Sequence, residues 1–105
     1  MTLSELKTVL DASGLPVAYG YFREEEAPEL PCVTFELAYT SNFMADRIVY
    51  QPVQNVDIFL YTRFKDEASE ARIETALAQA KIFWDKTETY LPEQRAYQII
   101  YEVKI

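Results

Sequence analysis

The stretch Asn42–Thr62, NFMADRIVYQPVQNVDIFLYT, decides how this chain folds. From Arg47 onward it is dense in β-branched and aromatic residues, and it contains no glycine. At about 3.3 Å per residue, a strand running from Arg47 to Thr62 would reach roughly 53 Å. A domain of this size has a radius of gyration near ~13 Å and a diameter of roughly 33 Å. Either the strand bends or part of it leaves the domain.

Pro52 divides the stretch. Proline donates no ladder hydrogen bond and belongs at an edge or a bulge. Ile48, Tyr50, Val56, Ile58 and Leu60 share one parity, which Gln54 interrupts, while Val49, Val53, Phe59 and Tyr61 supply the other face. This pattern predicts two half-strands. The half after Asn55 lies in the core sheet. The half before Pro52 pairs with LAYT (Leu37–Thr40) and projects as a hairpin over roughly 37–52. An isolated hairpin is marginal in water and needs a surface to lie on. A second copy of the chain is the simplest one.

On either side of this stretch the pattern is that of an α+β protein. Thr2 and Glu5 form a capping box that opens a helix burying Leu3, Leu6, Val9 and Leu10, with Ser13, Gly14 and Pro16 ending it. VAYGYF reads as a strand with Val17, Tyr19 and Tyr21 on one face. In LPCVTFELAYT, Val33, Phe35, Leu37 and Tyr39 alternate with Cys32, Thr34, Glu36 and Ala38. KDEASEARIETALAQAKIFW is a helix capped by Asp66, with Ile73, Leu77, Ala80 and Trp84 on its buried stripe. KTETY reads as a short strand, LPEQR as a turn and AYQIIYEVKI as a final strand. In that last strand Tyr97, Ile99, Tyr101 and Val103 share one face. The order α-β-β-β-α-β-β predicts an antiparallel sheet of four to five strands, two helices on one face and an extended hairpin arm, in a single domain over 1–105.

Composition excludes most chemistry. The 105 residues carry a net charge of −7, one cysteine, two glycines and no histidine. The commonest general base and transition-metal ligand is therefore missing. Cys32 has no imidazole to activate it and reads as a buried or half-buried structural thiol. Two glycines cannot build the glycine-rich phosphate or nucleophile motifs. Glu70 and Glu74, one turn apart with Arg72 between them, read as a solvated helix face. These features predict a protein that is not an enzyme and takes no cofactor or metal.

The acidic balance opposes specific nucleic-acid binding, which needs a basic face to displace counterions. It is densest in REEEAPE, where Glu24, Glu25, Glu26 and Glu29 stand between apolar stretches. Three readings of this loop stay open: a solvated turn, a calcium site that lacks the aspartate and glycine spacing of a calcium loop, or a surface that repels DNA or meets a basic partner. No apolar run reaches the length of a membrane span, and the acidic start MTLSELKTVLDASG lacks the pattern of a signal peptide, so the chain is expected in the cytoplasm.

GLPVAYGYF, NFMADRIVYQPV, IFLYTRFKDEASEARIE and KTETYLPEQRAYQIIYEV together resemble a small prophage protein of low-GC Gram-positive bacteria across nearly the whole chain. That family is similar in element order to the tail-completion proteins of long-tailed phages, tail terminators among them. The resemblance implies a structural virion protein that forms a hexameric ring, closes the tail tube and joins it to the head connector. Its partners would be copies of itself, the tail tube protein and a head completion or connector protein, with no membrane. It would be found in the host cytoplasm during assembly and then at the virion's head-tail junction. The arm tip, with Asn42, Phe43, Met44, Arg47 and Tyr50, would supply the contact between subunits. Glu24, Glu25, Glu26 and Glu29 would face the channel or the neighbouring ring. A head-side adaptor, or a small cytoplasmic module that recognises a peptide edge, are the other functions these features allow.

Overall fold

A computed structural model describes residues 1–41, 44–45, 48–49 and 52–105, with the backbone only at 44–45 and 48–49. Its elements are α1 (Leu3–Asp11), β1 (Val17–Tyr19), a 3₁₀ turn (Glu24–Glu26), β2 (Cys32–Ser41), β3 (Met44–Ala45), β4 (Ile48–Val49), β5 (Val53–Thr62), α2 (Glu67–Gln79), β6 (Trp84–Leu91) and β7 (Ala96–Lys104). The fold is α+β. Five strands form one sheet in the order β1-β2-β5-β7-β6, and β3 pairs with β4 separately. The long axis measures 50 Å against 26 and 24 Å.

The alternation along each strand becomes rows across the sheet. Val17, Val33, Leu60 and Ile99 stand in register. Tyr19, Phe35, Ile58 and Tyr101 form the next row, and Leu37, Val56, Val103 and Trp84 the third. Leu6 and Leu10 of α1 and Ile73 and Leu77 of α2 pack into one core with these rows, so both helices cover the same face. Each fully buried aliphatic side chain contributes roughly 1.5–3 kcal/mol, and this layer is where the fold draws its stability.

The first helix follows its sequence signals. Glu5 N–H donates to Thr2 Oγ1 and Thr2 N–H donates to Glu5 Oε1, both at 3.1 Å. These bonds to Thr2, its backbone amide first, hold the Glu5 carboxyl below the usual range. Gly14 takes φ +79°, the left-handed conformation that turns the chain away from the helix.

Three parts of the fold depart from expectation. The first strand is shorter than VAYGYF, ending where Gly20 turns at φ +76°. It runs parallel to β2, not antiparallel. Residues 20–31 are thus a crossover, long enough for the dozen or so residues a parallel pair needs, and the acidic segment sits within it. Tyr19 seals the point where β1 stops: Leu37 N–H donates to its hydroxyl at 3.2 Å, and its ring meets Phe35 edge-on at 5.1 Å.

The second correction concerns Trp84, which starts β6 instead of continuing the stripe of α2. The helix ends in a Schellman arrangement, with Ile82 N–H donating to the Leu77 carbonyl and Lys81 N–H to that of Ala78. Lys81 takes the left-handed position at φ 60° that glycine usually fills, so the sequence carries no punctuation there. Burial of Ile82 against Leu77 completes the stop.

The third concerns the partner of LAYT. Leu37, Tyr39 and Thr40 pair with Val56, Asn55 and Gln54, residues after Pro52 and not before it. A bulge at Ala38 also turns Tyr39 from the helix-covered face to the side of Asn55. Pro52 does separate two strand segments, standing between β4 and β5.

Candidate interaction surfaces

The β2–β5 ladder leaves the sheet at its last pair, Ser41 with Val53. The neighbouring ladder stops with the two reciprocal bonds between Gln54 and Ile105. Asn55 Nδ2 donates to Ser41 Oγ at 3.0 Å, tying the two long strands where they emerge. Beyond them Met44 pairs with Val49 and Ala45 with Ile48. Of the predicted contact residues, Met44 lies in β3, while Asn42, Phe43, Arg47 and Tyr50 fall outside the described residues.

Glu24, Glu25 and Glu26 form the exposed 3₁₀ turn of the crossover, and Glu29 is exposed after it. All four are exposed along the crossover. The structure also makes a second acidic feature that the linear sequence does not display. Glu36, Asp57, Glu102 and Asp85 come from four different strands and stand in one cross-strand row on the face opposite the helices. Like charges placed directly opposite one another on neighbouring strands are unfavourable. Among the described residues none of the four takes part in an ion pair. Asp57, Asp85 and Glu102 of this row line an open cleft of about 670 Å³ together with Lys81 and Lys104, with Tyr39 and Phe83 also in its wall. Tyr39 is 61% exposed and Phe83 93%. Among the described residues no three acidic or cysteine groups converge as a metal cage.

The expectation of a solvated Glu70–Glu74 face is overturned. Glu70 is 3% exposed. Its Oε1 lies 3.2 Å from Lys86 Nζ and its Oε2 2.7 Å from Lys65 Nζ. Lys86 also reaches Glu74 at 3.1 Å, Lys65 reaches Glu88 at 2.7 Å, and Tyr101 Oη donates to Glu74 Oε2 at 2.9 Å. Arg72, the expected companion of the two glutamates, instead donates from Nε to the Ser13 carbonyl at 2.7 Å, holding α2 to the end of α1. Contact with Glu70 and then Glu88 pushes the Lys65 ammonium well above the usual lysine range. Glu74 foremost raises that of Lys86. Burial, then the neighbouring carboxylates, raise the Tyr101 hydroxyl far above an ordinary phenol. The network clamps α2 onto β6 and β7. Helical periodicity places Glu70 beside the core stripe, and the cations that neutralise it come from residues outside the helix.

Cys32 is buried, and desolvation raises its thiol pKa, which disfavours the reactive thiolate. No helix among the described residues is long and apolar enough to cross a membrane. Compared with known proteins, the sequence matches no family model and no curated protein.

Proposed function

We propose that this chain is a structural protein of a long-tailed phage that assembles as a ring, terminates the tail tube and joins it to the head connector. The observation that carries the reading is the β2–β5 ladder, which runs to Ser41 and Val53, one pair past the last bonds to the neighbouring strand at Gln54 and Ile105, and is followed along the chain by a further paired segment, β3 with β4. A hairpin that leaves its own core has little to stabilise it until another surface covers it. Laid on a neighbouring copy, it makes a heterologous contact, and repetition of that contact closes a ring when the rotation is right. Asn42, Phe43, Met44, Arg47 and Tyr50 are the proposed contact residues, and six copies the proposed number.

The acidic surfaces fit the same reading. A ring that passes a genome needs walls that do not hold it, and a carboxylate surface gives DNA no counterion release on approach. The crossover glutamates and the row on the open sheet face are two such surfaces.

Electron microscopy of particles assembled without this protein tests the proposal. Loss of a terminator leaves tails of uncontrolled length and no tailed heads. Tails of normal length beside filled, tailless heads would assign the chain to the head-side adaptor. Intact infectious particles would reject both.

A further inference from the structure

The outer edge of β6 has no strand partner among the described residues, and its backbone groups are open along Trp84–Leu91. Eight residues amount to roughly 26 Å of unpaired ladder. Phe83, 93% exposed, and Tyr90, 48% exposed, stand along it. A free edge of this length is a template for another strand.

We infer that the occupant is β6 of a second copy, paired antiparallel about a two-fold axis at Thr87. Directly opposed residues in an antiparallel pair share the same hydrogen-bonding class, so the axis must pass through a residue. An axis at Asp85, Lys86 or Glu88 sets that charge against itself. An axis at Thr89 sets Glu88 against Tyr90 and Lys86 against Pro92, which cannot donate. Only the axis at Thr87 makes the whole edge complementary to itself. Lys86 then opposes Glu88 twice, Trp84 opposes Tyr90 twice, Asp85 opposes Thr89, and Phe83 comes opposite Leu91. Opposite charges and aromatic pairs are the cross-strand combinations that stabilise a sheet. Lys86 is already linked to Glu74, and Glu88 to Lys65, so the pairing joins the two ion networks with alternating sign. The five-stranded sheets become one ten-stranded sheet. The contact is isologous, closes at two copies and leaves both arms free, so it stands apart from the ring contact of the arm.

Cysteine cross-linking tests the register. A residue on the two-fold meets its own copy at a Cα separation of about 4.5–5.5 Å, within disulfide range. Thr87→Cys should form a covalent dimer under mild oxidation at least tenfold faster than Thr89→Cys or Asp85→Cys alone. The Asp85→Cys/Thr89→Cys double variant should recover the fast rate. Wild type, whose one thiol is buried, is the control. Thr87 is exposed and outside the ion network, and Thr87→Lys should raise the dimer dissociation constant tenfold or more in sedimentation equilibrium with an unchanged circular dichroism spectrum. Faster cross-linking of Thr89→Cys, or a Thr87→Lys dimer as tight as wild type, overturns the inference. So does a wild type that stays monomeric at all concentrations. Undiminished cross-linking of the Phe43→Asp/Thr87→Cys double variant separates this edge from the arm.

Discussion

Glu70 Oε2 lies 2.7 Å from Lys65 Nζ, although the glutamate is 3% exposed and almost half of the lysine side chain is in solvent. The pair is asymmetric, and the two partners respond differently to removal. Each lysine can swing to water if its carboxylate is lost. Glu70 cannot, because α2 packs it against the sheet.

Removing both cations should therefore cost more than neutralising the anion. Lys65→Ala/Lys86→Ala leaves a buried carboxylate without a counter-ion, for about 3 kcal/mol or more. Glu70→Gln keeps the shape and exposes no buried charge, for about 1–2 kcal/mol. Urea unfolding of the variants measures both, and equal losses would show that Glu70 reaches water.

Alkali should unfold the protein through the same network. Lys65 and Lys86 have pKa values raised above the ordinary 10.5, and Tyr101 one raised above 10.0. A raised folded-state value contributes stability that is complete below the unfolded-state value and disappears as pH rises through the folded one. Stability should thus hold to about pH 10 and fall above it. Glu70→Gln/Glu74→Gln should remove most of the lysines' share of that dependence and leave the part that comes from the burial of Tyr101, as followed by far-ultraviolet circular dichroism. An unaltered alkaline limb in the double variant would show that the two lysines do not contribute to it.

Gly14→Ala combines two penalties. The residue has φ +79°, and an added Cβ would meet the Arg72 guanidinium. Arg72 would have to move off the Ser13 carbonyl, loosening α1 from α2. The expected loss is about 1–2 kcal/mol in denaturant unfolding. Arg72→Ala should cost less on its own, and in its background the part of the Gly14→Ala penalty that comes from the clash should vanish while the part from the positive φ remains.

Pro52→Val should change stability by about 1 kcal/mol or less, since Pro52 is exposed just before β5 begins. The new N–H provides a donor where the strands leave the sheet and favours association through strand edges. A loss of several kcal/mol would show that the proline fixes a turn.

Changing Glu24, Glu25 and Glu26 to lysine should leave the melting temperature within a few degrees, because all three are exposed. On the proposed function it should also reduce infectious particles while tails keep normal length. Unchanged titres would return this turn to plain solvation.

Much of this architecture is written in local patterns. The capping box of Thr2 and Glu5, the buried stripe of Ile73 and Leu77, and the alternation of Ile99, Tyr101 and Val103 each depend on residues within a few positions of one another. Such signals survive in a linear reading because helix and strand periods are local properties of the backbone. Pro52 likewise marks a break by its own chemistry. The direction of β1 does not, because the crossover that permits a parallel pair has the composition of an ordinary acidic turn. Neither does the end of α2, where a lysine occupies the position expected for glycine.

The surface features lie further from the sequence still. Glu36, Asp57, Asp85 and Glu102 are each a single outward residue of a separate strand. Register alone makes them a row. Glu70 looks solvated until Lys65 and Lys86 arrive from the loop before α2 and the strand after it. Alternation along the chain determined which side chains face the helices and which face outward. Which outward charges stand together was decided only by the pairing of distant strands, since long-range register depends on how the whole apolar face is buried at once.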